Sequence, residues 1–177
     1  MNLKSSQLRA TSLIGAVLIV VFCGAFFLPE IISTYWHVRF GRSTTFDGWS
    51  VAVPGGWWAF TREDLLIIQK SLRFYQRDDA PTISVEIFSP GKTVDSEALK
   101  QGSIRAISQK GYVFQEDRPI QIGTDRGYCL HFSTGAGREN IRISCYLLAA
   151  HISLDLFGRS SDVQDFYSVV RQIRRAN

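Results

Sequence analysis

The chain has 177 residues, of which 45% are apolar, 12% aromatic and 20% charged. These values fit one globular domain and exclude a disordered or collagen-like chain. The formal net charge is +4, but only four of the 20 basic residues and one of the 16 acidic residues precede residue 43, which leaves 16 basic and 15 acidic residues beyond it. A nucleic-acid-binding domain concentrates positive charge on its folded surface, so we expect no nucleic-acid partner.

Twenty uncharged residues, Ala10–Pro29, follow a short N-terminal tail. A helix of about 20 apolar residues crosses a hydrocarbon core of about 30 Å. Tyr35 and Trp36 come shortly after the run, and such rings suit the headgroup region of a bilayer. The sequence therefore predicts a tail at residues 1–10 and a transmembrane helix at residues 11–36, which would contact membrane lipid.

Three other interpretations of this run stay open: a cleaved signal peptide, a lipoprotein signal at Cys23, and a buried core helix. Against a cleaved signal peptide, no Ala-x-Ala cleavage site follows the run. Against a lipoprotein signal, Phe22 is bulky at the position before Cys23, where a small residue is expected. Against a core helix, a buried helix of this length seldom lacks polar residues. The positive-inside rule favours a cytoplasmic N-terminus only slightly. A short tail before one span is typical of a signal-anchor, so we expect a single-pass protein of the cell membrane with a periplasmic C-terminal domain.

A linker is predicted at residues 37–45 and a folded domain at residues 46–177. In the domain, alternating apolar residues between turns predict strands, and capped apolar stripes predict two helices. The predicted strands are Trp49–Val53, Trp57–Phe60 (or a packed loop), Leu65–Ile68, Ile83–Ile87, Tyr112–Ile122, Arg126–Thr134, Ile141–Leu148 and Ile152–Leu156, and the predicted helices are 96–110 and 161–175. Strands that do not alternate with helices favour an antiparallel sheet with flanking helices, which is an α+β domain.

Five side chains are candidate partner contacts: Trp57, Trp58, Arg171, Arg174 and Arg175. The tryptophans either anchor a partner, because Trp is common in binding hot spots, or fill the core. The arginines fall in the last turns of the predicted C-terminal helix, where they either offset the negative end of the helix dipole or form a basic partner-binding tail. An apolar stripe on the same helix predicts that it packs on the sheet.

Cys129 and His131 share a face of one predicted strand, Cys145 lies on the next strand, and His151 lies just beyond it. If the hairpin is centred on Gly137, Cys129 faces Cys145, which would permit a disulfide or a metal site. A slip of one residue instead aligns the apolar side chains of both strands on one face and separates the two cysteines. The apolar pattern thus disfavours both the disulfide and a metal site, unless helices cover both faces of the sheet.

The sequence contains no motif of nucleophilic catalysis, such as a Gly-x-Ser-x-Gly elbow, and no phosphate-cradling glycine loop before a helix. The paired acidic residues lie in predicted loops, where solvation explains them most simply. We therefore expect no catalytic residue, no cofactor and no bound metal.

The segment Gly48–Trp57, with the sequence GWSVAVPGGW, resembles the opening of PsbP-like and DcrB-like domains, in which a strand ends in Pro and Gly-Trp follows. The later order of elements is also similar, over about residues 46–175. The resemblance implies the Mog/PsbP-type fold, an antiparallel sheet sandwiched between helices. It also implies an accessory role in assembling a larger membrane complex. Two alternatives are a carrier or sensor of a small apolar ligand and an enzyme with an unrecognised site.

Overall fold

The computed structural model describes residues 3–70, 80–88, 95–134 and 140–176; in the first helix it describes the side chains of residues 16–21, 24, 27–28 and 30–40. The helices and strands in chain order are α1 (Leu3–Phe40), β1 (Ser43–Phe46), β2 (Trp49–Ala52), β3 (Trp57–Arg62), β4 (Leu65–Lys70), β5 (Thr82–Ile87), α2 (Ser96–Ser108), β6 (Tyr112–Ile122), β7 (Asp125–Thr134), β8 (Asn140–Leu147), β9 (Ile152–Arg159), α3 (Val163–Gln172) and β10 (Arg174–Arg175).

The described strands form two sheets. Seven of them follow the order β3-β4-β5-β9-β8-β7-β6, and the other three follow the order β1-β2-β10. Every pairing in the two sheets is antiparallel. The predicted α+β class, an antiparallel sheet with flanking helices, is confirmed.

Both faces of the seven-stranded sheet are covered. On one face, Ile107 of α2 packs with Leu130 and Phe132 of β7. On the other face, α3 and the three-stranded sheet enclose the larger core, in which Phe166 is fully buried. The apolar side chains of the central strands are therefore divided between two cores.

The disulfide that the apolar pattern disfavoured is present. Cys129 of β7 lies directly opposite Cys145 of β8 and is bonded to it. The predicted slip of one residue is wrong because apolar residues of the two strands serve different faces. Leu130 and Phe132 pack beneath α2, whereas Ile143 belongs to the core beneath α3.

The predicted linker at residues 37–45 is also wrong. Helix α1 continues to Phe40, and Gly41 then takes a φ of +82°, a left-handed conformation that glycine adopts readily and that ends the helix. Strand β1 begins at Ser43 and pairs along its length with β2. The helix therefore passes into the sheet through a tight turn.

The last turns of α1 dock on β3, an edge strand of the seven-stranded sheet. Ser33 Oγ donates to the Trp57 carbonyl at 3.0 Å, and Trp36 Nε1 donates to the Ala59 carbonyl at 2.8 Å. Trp36 is only 7% exposed. Its ring therefore packs against the domain and does not lie in the headgroup region, where the sequence placed it. His37 Nε2 also lies 3.0 Å from the Pro54 carbonyl oxygen. We call these three residues, Ser33, Trp36 and His37, the α1 dock.

Before Ser33, none of the described α1 side chains is buried. Those of Val17–Val21 are 54–70% exposed. Within the part of the chain that the structure describes, no helix has both the length and the apolar character needed to cross a membrane. The transmembrane role of residues 11–36 therefore stays a prediction.

The C-terminal helix is shorter than predicted. It ends at Gln172, and Ile173 has an extended backbone with ψ of 130° and a buried side chain. Arg174 and Arg175 form β10, in which Arg174 pairs with Ser50 of β2. Their predicted position in the last helical turns is wrong because β2 offers a free edge that these two residues complete.

Candidate functional site

A groove runs between strand β6, the edge of the seven-stranded sheet opposite β3, and the C-terminal end of α3. It consists of two cavities of about 360 and 530 Å³, which share Ile122 and Arg171 in their linings. Ile120, Val170 and Ile173 add apolar surface to the two cavities. We call this surface the arginine groove after its four arginines, Arg118, Arg171, Arg174 and Arg175.

Three elements bring these arginines together. Alternation along β6 turns Arg118 toward the same sheet face as its cross-strand partner Cys129, which is the face that α3 covers. Arg171 lies one residue beyond the buried Val170 on α3. Beyond the helix, β10 holds the last two arginines against β2. The groove therefore depends on the pairing of β10 as much as on the helix.

The positive charge of the groove is only partly neutralised within the chain. Arg118 Nη2 lies 2.5 Å from Glu116 Oε1, and both side chains are about half exposed; such surface pairs contribute little to stability. The hydrogen bond from Arg118 lowers the pKa of Glu116 below its usual value. Among the described residues, neither Arg171 nor Arg174 forms an ion pair with a carboxylate. Within the described parts of the chain, these two guanidinium groups thus keep their positive charge without a carboxylate partner.

Arg175 is held by a different contact. Its guanidinium carbon lies 4.2 Å from the centroid of the Trp49 ring, within the range of a cation–π interaction. Trp49 is itself buried at 6% exposure and is the β2 residue that pairs with Arg175. This contact holds the guanidinium group over the ring at the end of the groove.

A histidine–tyrosine pair lies beside the groove. His131 Nε2 and the Tyr167 hydroxyl are 2.7 Å apart, and the two rings are stacked with centroids 6.1 Å apart. Burial lowers the pKa of His131, and Arg118 lowers it further, while Glu116 acts in the opposite direction. Burial also raises the pKa of Tyr167. Both shifts favour the neutral form of the group near pH 7. Of the two residues only Tyr167 is among those that line the described groove, and its hydroxyl is hydrogen-bonded to His131.

The two tryptophan candidates lie away from this groove. Trp57 is fully buried, and its Nε1 donates to Asp165 Oδ2 at 2.9 Å, with Lys70 Nζ 5.5 Å from its ring. Trp57 therefore joins β3 to α3 in the core and is not accessible to a partner. Trp58 is half-buried and stacks on Phe60 with ring centroids 4.8 Å apart.

The residues considered for a metal site do not assemble into one. Cys129 and Cys145 are bonded to each other, which removes the thiolates that a metal would need. His131 is paired with Tyr167, and His151 occupies a turn with a φ of +56°. Among the described residues there is no group of three or more potential ligands that could hold a metal ion.

Comparison with known proteins identifies the architecture. No family model matches the chain, and no curated protein matches it. Among solved structures, the cyanobacterial PsbP (CyanoP) from Synechocystis sp. PCC 6803 matches with a TM-score of 0.53 and 13% identity, over 76% of this chain and 90% of that chain. The fold is PsbP-like. The Ran-binding protein Mog1p from Saccharomyces cerevisiae matches with a TM-score of 0.47 and 11% identity, over 72% of this chain and 90% of that chain.

At such identities the similarity establishes the PsbP-like fold alone, and the groove has to be judged on its own residues. Sequence reasoning found Arg171 and the two arginines of β10, but it missed Arg118 and Tyr167. The only local signal for Arg118 was an exposed charge beside Pro119 within a strand. Its position beside α3 depends on the packing of the PsbP-like domain, which no local pattern encodes.

Proposed function

We propose that the chain is a membrane-anchored, non-catalytic accessory module. Helix α1 holds the PsbP-like domain at the outer surface of the membrane, where the arginine groove binds an acidic segment of a larger membrane complex and stabilises that complex. The observation that carries the proposal is the joint between α1 and the domain. An exposed apolar helix leads without a break into a dock on the edge of the sheet.

The apolar character of α1 supports the anchor. Residues 10–29 carry no charge, and the described side chains of Val17–Val21 are at least half exposed. A helix that is apolar on all sides needs a membrane or a protein interior to cover it. A run of twenty uncharged residues matches the thickness of the hydrocarbon core.

The dock places the domain close to the end of this run. Ser33 follows Pro29 by four residues, which is about 6 Å along a helix. A domain joined in this way lies against the headgroups with a fixed orientation. A mobile linker would leave the groove at a variable distance from a membrane partner.

The disulfide supports a location of the domain outside the cytoplasm. Disulfides persist in oxidising surroundings such as the bacterial periplasm and are rare in the cytosol. The bond between Cys129 and Cys145 fits an N-terminus in the cytoplasm and a domain outside it. It is independent of the slight charge asymmetry that favoured this orientation.

Charge and packing favour a protein-binding module over a carrier of small apolar ligands. Arg171 and Arg174 are exposed and lack a carboxylate among the described residues, and complementary charge increases the rate and specificity of association. In contrast, the layer between sheet and α3 is filled by Leu154, Phe166 and Val169, each 0% exposed. An apolar ligand would have to displace these side chains.

The anchor is tested by fractionation of cells that produce the full chain. We expect the protein to sediment with membranes and to resist carbonate extraction. The double substitution Leu18→Arg/Val20→Arg should release it, because each charge at the centre of a span costs about 2.5–3.5 kcal/mol on insertion scales. The control is Arg39→Lys, outside the run. A wild-type chain that carbonate extracts completely would contradict the anchor.

The groove is tested by co-purification in mild detergent. Arg171→Glu/Arg174→Glu should abolish recovery of the partner complex. The denaturation midpoint of this variant should change no more than that of other variants with exposed substitutions. The charge-matched control is Arg105→Glu/Lys110→Glu, which alters two exposed basic residues on and just after α2. Equal loss of the complex with both variants would point to net charge and against the groove.

A further inference from the structure

We propose that the arginine groove binds an extended segment in which one carboxylate side chain contacts Arg171 and two flanking apolar side chains enter the two cavities. In the free chain, Glu116 occupies Arg118 at one end of the groove and competes with this segment. The inference rests on the proposed function, and it names the chemistry that the partner segment must have.

The two cavities meet at Arg171 and Ile122, which line both of them. From there the smaller cavity follows β6 back to Arg118, and the larger one continues past the β6–β7 turn to Asp125. Their volumes of about 360 and 530 Å³ fall within the range of about 300–1,000 Å³ that is usual for ligand sites. One guanidinium group therefore stands between two separate cavities.

Both cavities have apolar walls. Ile120 and Val170 line the smaller cavity, and Leu147 and Ile173 line the larger one. Val170, Leu147 and Ile173 are at most 3% exposed and belong to the larger core, so they cannot move apart without disturbing it. The apolar surface of each cavity is thus already formed in the free chain, and it favours an apolar side chain over water.

The charge of the groove favours an acidic segment. Four arginines line the two cavities, and Asp125 is the only carboxylate among the described lining residues. Arg171 and Arg174 are exposed and form no ion pair with a described carboxylate. A guanidinium group can bind a carboxylate through two parallel hydrogen bonds, and complementary charge selects such a segment over a neutral or basic one.

The length of the groove along β6 favours an extended segment. Arg118 and Ile122 are four residues apart on this strand, which is about 13 Å at about 3.3 Å per residue. In an extended chain, the first, third and fifth side chains point to the same side and span the same distance. In a helix, the first and fifth residues are only about 6 Å apart along the axis. We therefore expect apolar residues at positions one and five of the segment and an acidic residue at position three.

Glu116 shows how a carboxylate binds at the Arg118 end of the groove. Its Oε1 lies 2.5 Å from Arg118 Nη2, and both side chains are about half exposed. Such a surface pair contributes little free energy, so an incoming carboxylate can displace it. Because the displacement still costs affinity, removal of the charge on Glu116 should strengthen binding of the segment.

Peptide binding to the full chain in mild detergent tests the inference. The probe is a fluorescein-labelled peptide with blocked ends, Ser-Leu-Ser-Glu-Ser-Leu-Ser. Two matched peptides replace either both leucines by serine or the glutamate by glutamine. We expect the probe to bind at least tenfold more tightly than either matched peptide. Arg171→Gln should remove the preference for glutamate over glutamine.

The competition has its own variant and control. Glu116→Gln should bind the probe several-fold more tightly than the wild type does. Glu86→Gln makes the same change of charge at an exposed residue of β5, where the alternation with Val85 of the larger core places the side chain on the opposite face of the sheet. It should leave binding unchanged. Equal affinities of the two variants would overturn the role of Glu116.

The remaining outcomes separate this inference from the proposed function. Equal binding of the probe and the leucine-free peptide would overturn the apolar contacts and leave an acidic partner in place. Equal binding of the glutamate and glutamine peptides to the wild type would overturn the contact with Arg171. If no peptide binds, the inference fails, and the co-purification with Arg171→Glu/Arg174→Glu still decides whether the groove holds a partner complex.

Discussion

The indole Nε1 of Trp36 donates a hydrogen bond of 2.8 Å to the carbonyl oxygen of Ala59. Ala59 belongs to β3, whose outer edge has no neighbouring strand among the described residues. Edge strands present unpaired backbone groups that invite association with other chains, and natural proteins cover them. Here the covering element is the last part of α1, so the joint between helix and domain also protects the sheet.

The first prediction concerns this contact. Trp36→Phe keeps a ring in the dock but removes the donor to the Ala59 carbonyl, so the free energy of unfolding should fall by about 1–3 kcal/mol, the cost of an unsatisfied buried polar group. Denaturant unfolding of the full chain in detergent measures the change. Tyr35→Phe is the control, because Tyr35 is 67% exposed and surface changes usually stay within about 0.5 kcal/mol. Equal midpoints for the two variants would show that the dock does not contribute to folding.

Local sequence patterns predicted most of the elements but not the contacts between them. The strand Ile83–Ile87 was evident because apolar and polar residues alternate there. The register of β7 against β8 was not, because both faces of the sheet are apolar and alternation then no longer indicates one inner face. Likewise, β10 is a strand only because β2 offers it an edge, and the groove that contains Arg118 exists only after β6 and α3 have packed.

The second prediction concerns the disulfide. Cys129 and Cys145 are separated by 16 residues, and closing a loop of about 15 residues stabilises a fold by about 3 kcal/mol through the unfolded state. The double substitution Cys129→Ala/Cys145→Ala should lower the free energy of unfolding by about 2–4 kcal/mol. A reductant should lower the wild-type midpoint in the same direction. Cys23→Ser serves as the control, and a wild-type midpoint unchanged by reductant would argue against the bond.

The third prediction concerns pH. Burial first, and Arg118 second, lower the pKa of His131 in the folded state relative to about 6.5 in the unfolded chain. The unfolded chain therefore binds more protons just below that pH, so the contribution of this group is fully present above about pH 6.5 and declines as the pH falls toward the folded-state pKa. Denaturation midpoints of the wild type should drop from about pH 7.5 to about pH 5 by more than those of His131→Gln. Parallel pH curves for the two proteins would contradict the burial of a neutral imidazole.

The fourth prediction contrasts two side chains near the C-terminus. Phe166 on α3 is 0% exposed within the larger core, so Phe166→Ala should cost about 3–5 kcal/mol through lost transfer energy and the cavity left behind. Domains of this kind have a total stability of about 5–15 kcal/mol, so the variant should fold but unfold at a much lower denaturant concentration.

Arg175→Ala removes an exposed guanidinium group that lies over the Trp49 ring, and this contact contributes about 0.5–1 kcal/mol at a surface site. Because Arg175 belongs to the arginine groove, this variant should weaken recovery of the partner complex far more than it lowers the midpoint. A large loss of stability on Arg175→Ala would instead show that Arg175 in β10 stabilises the fold.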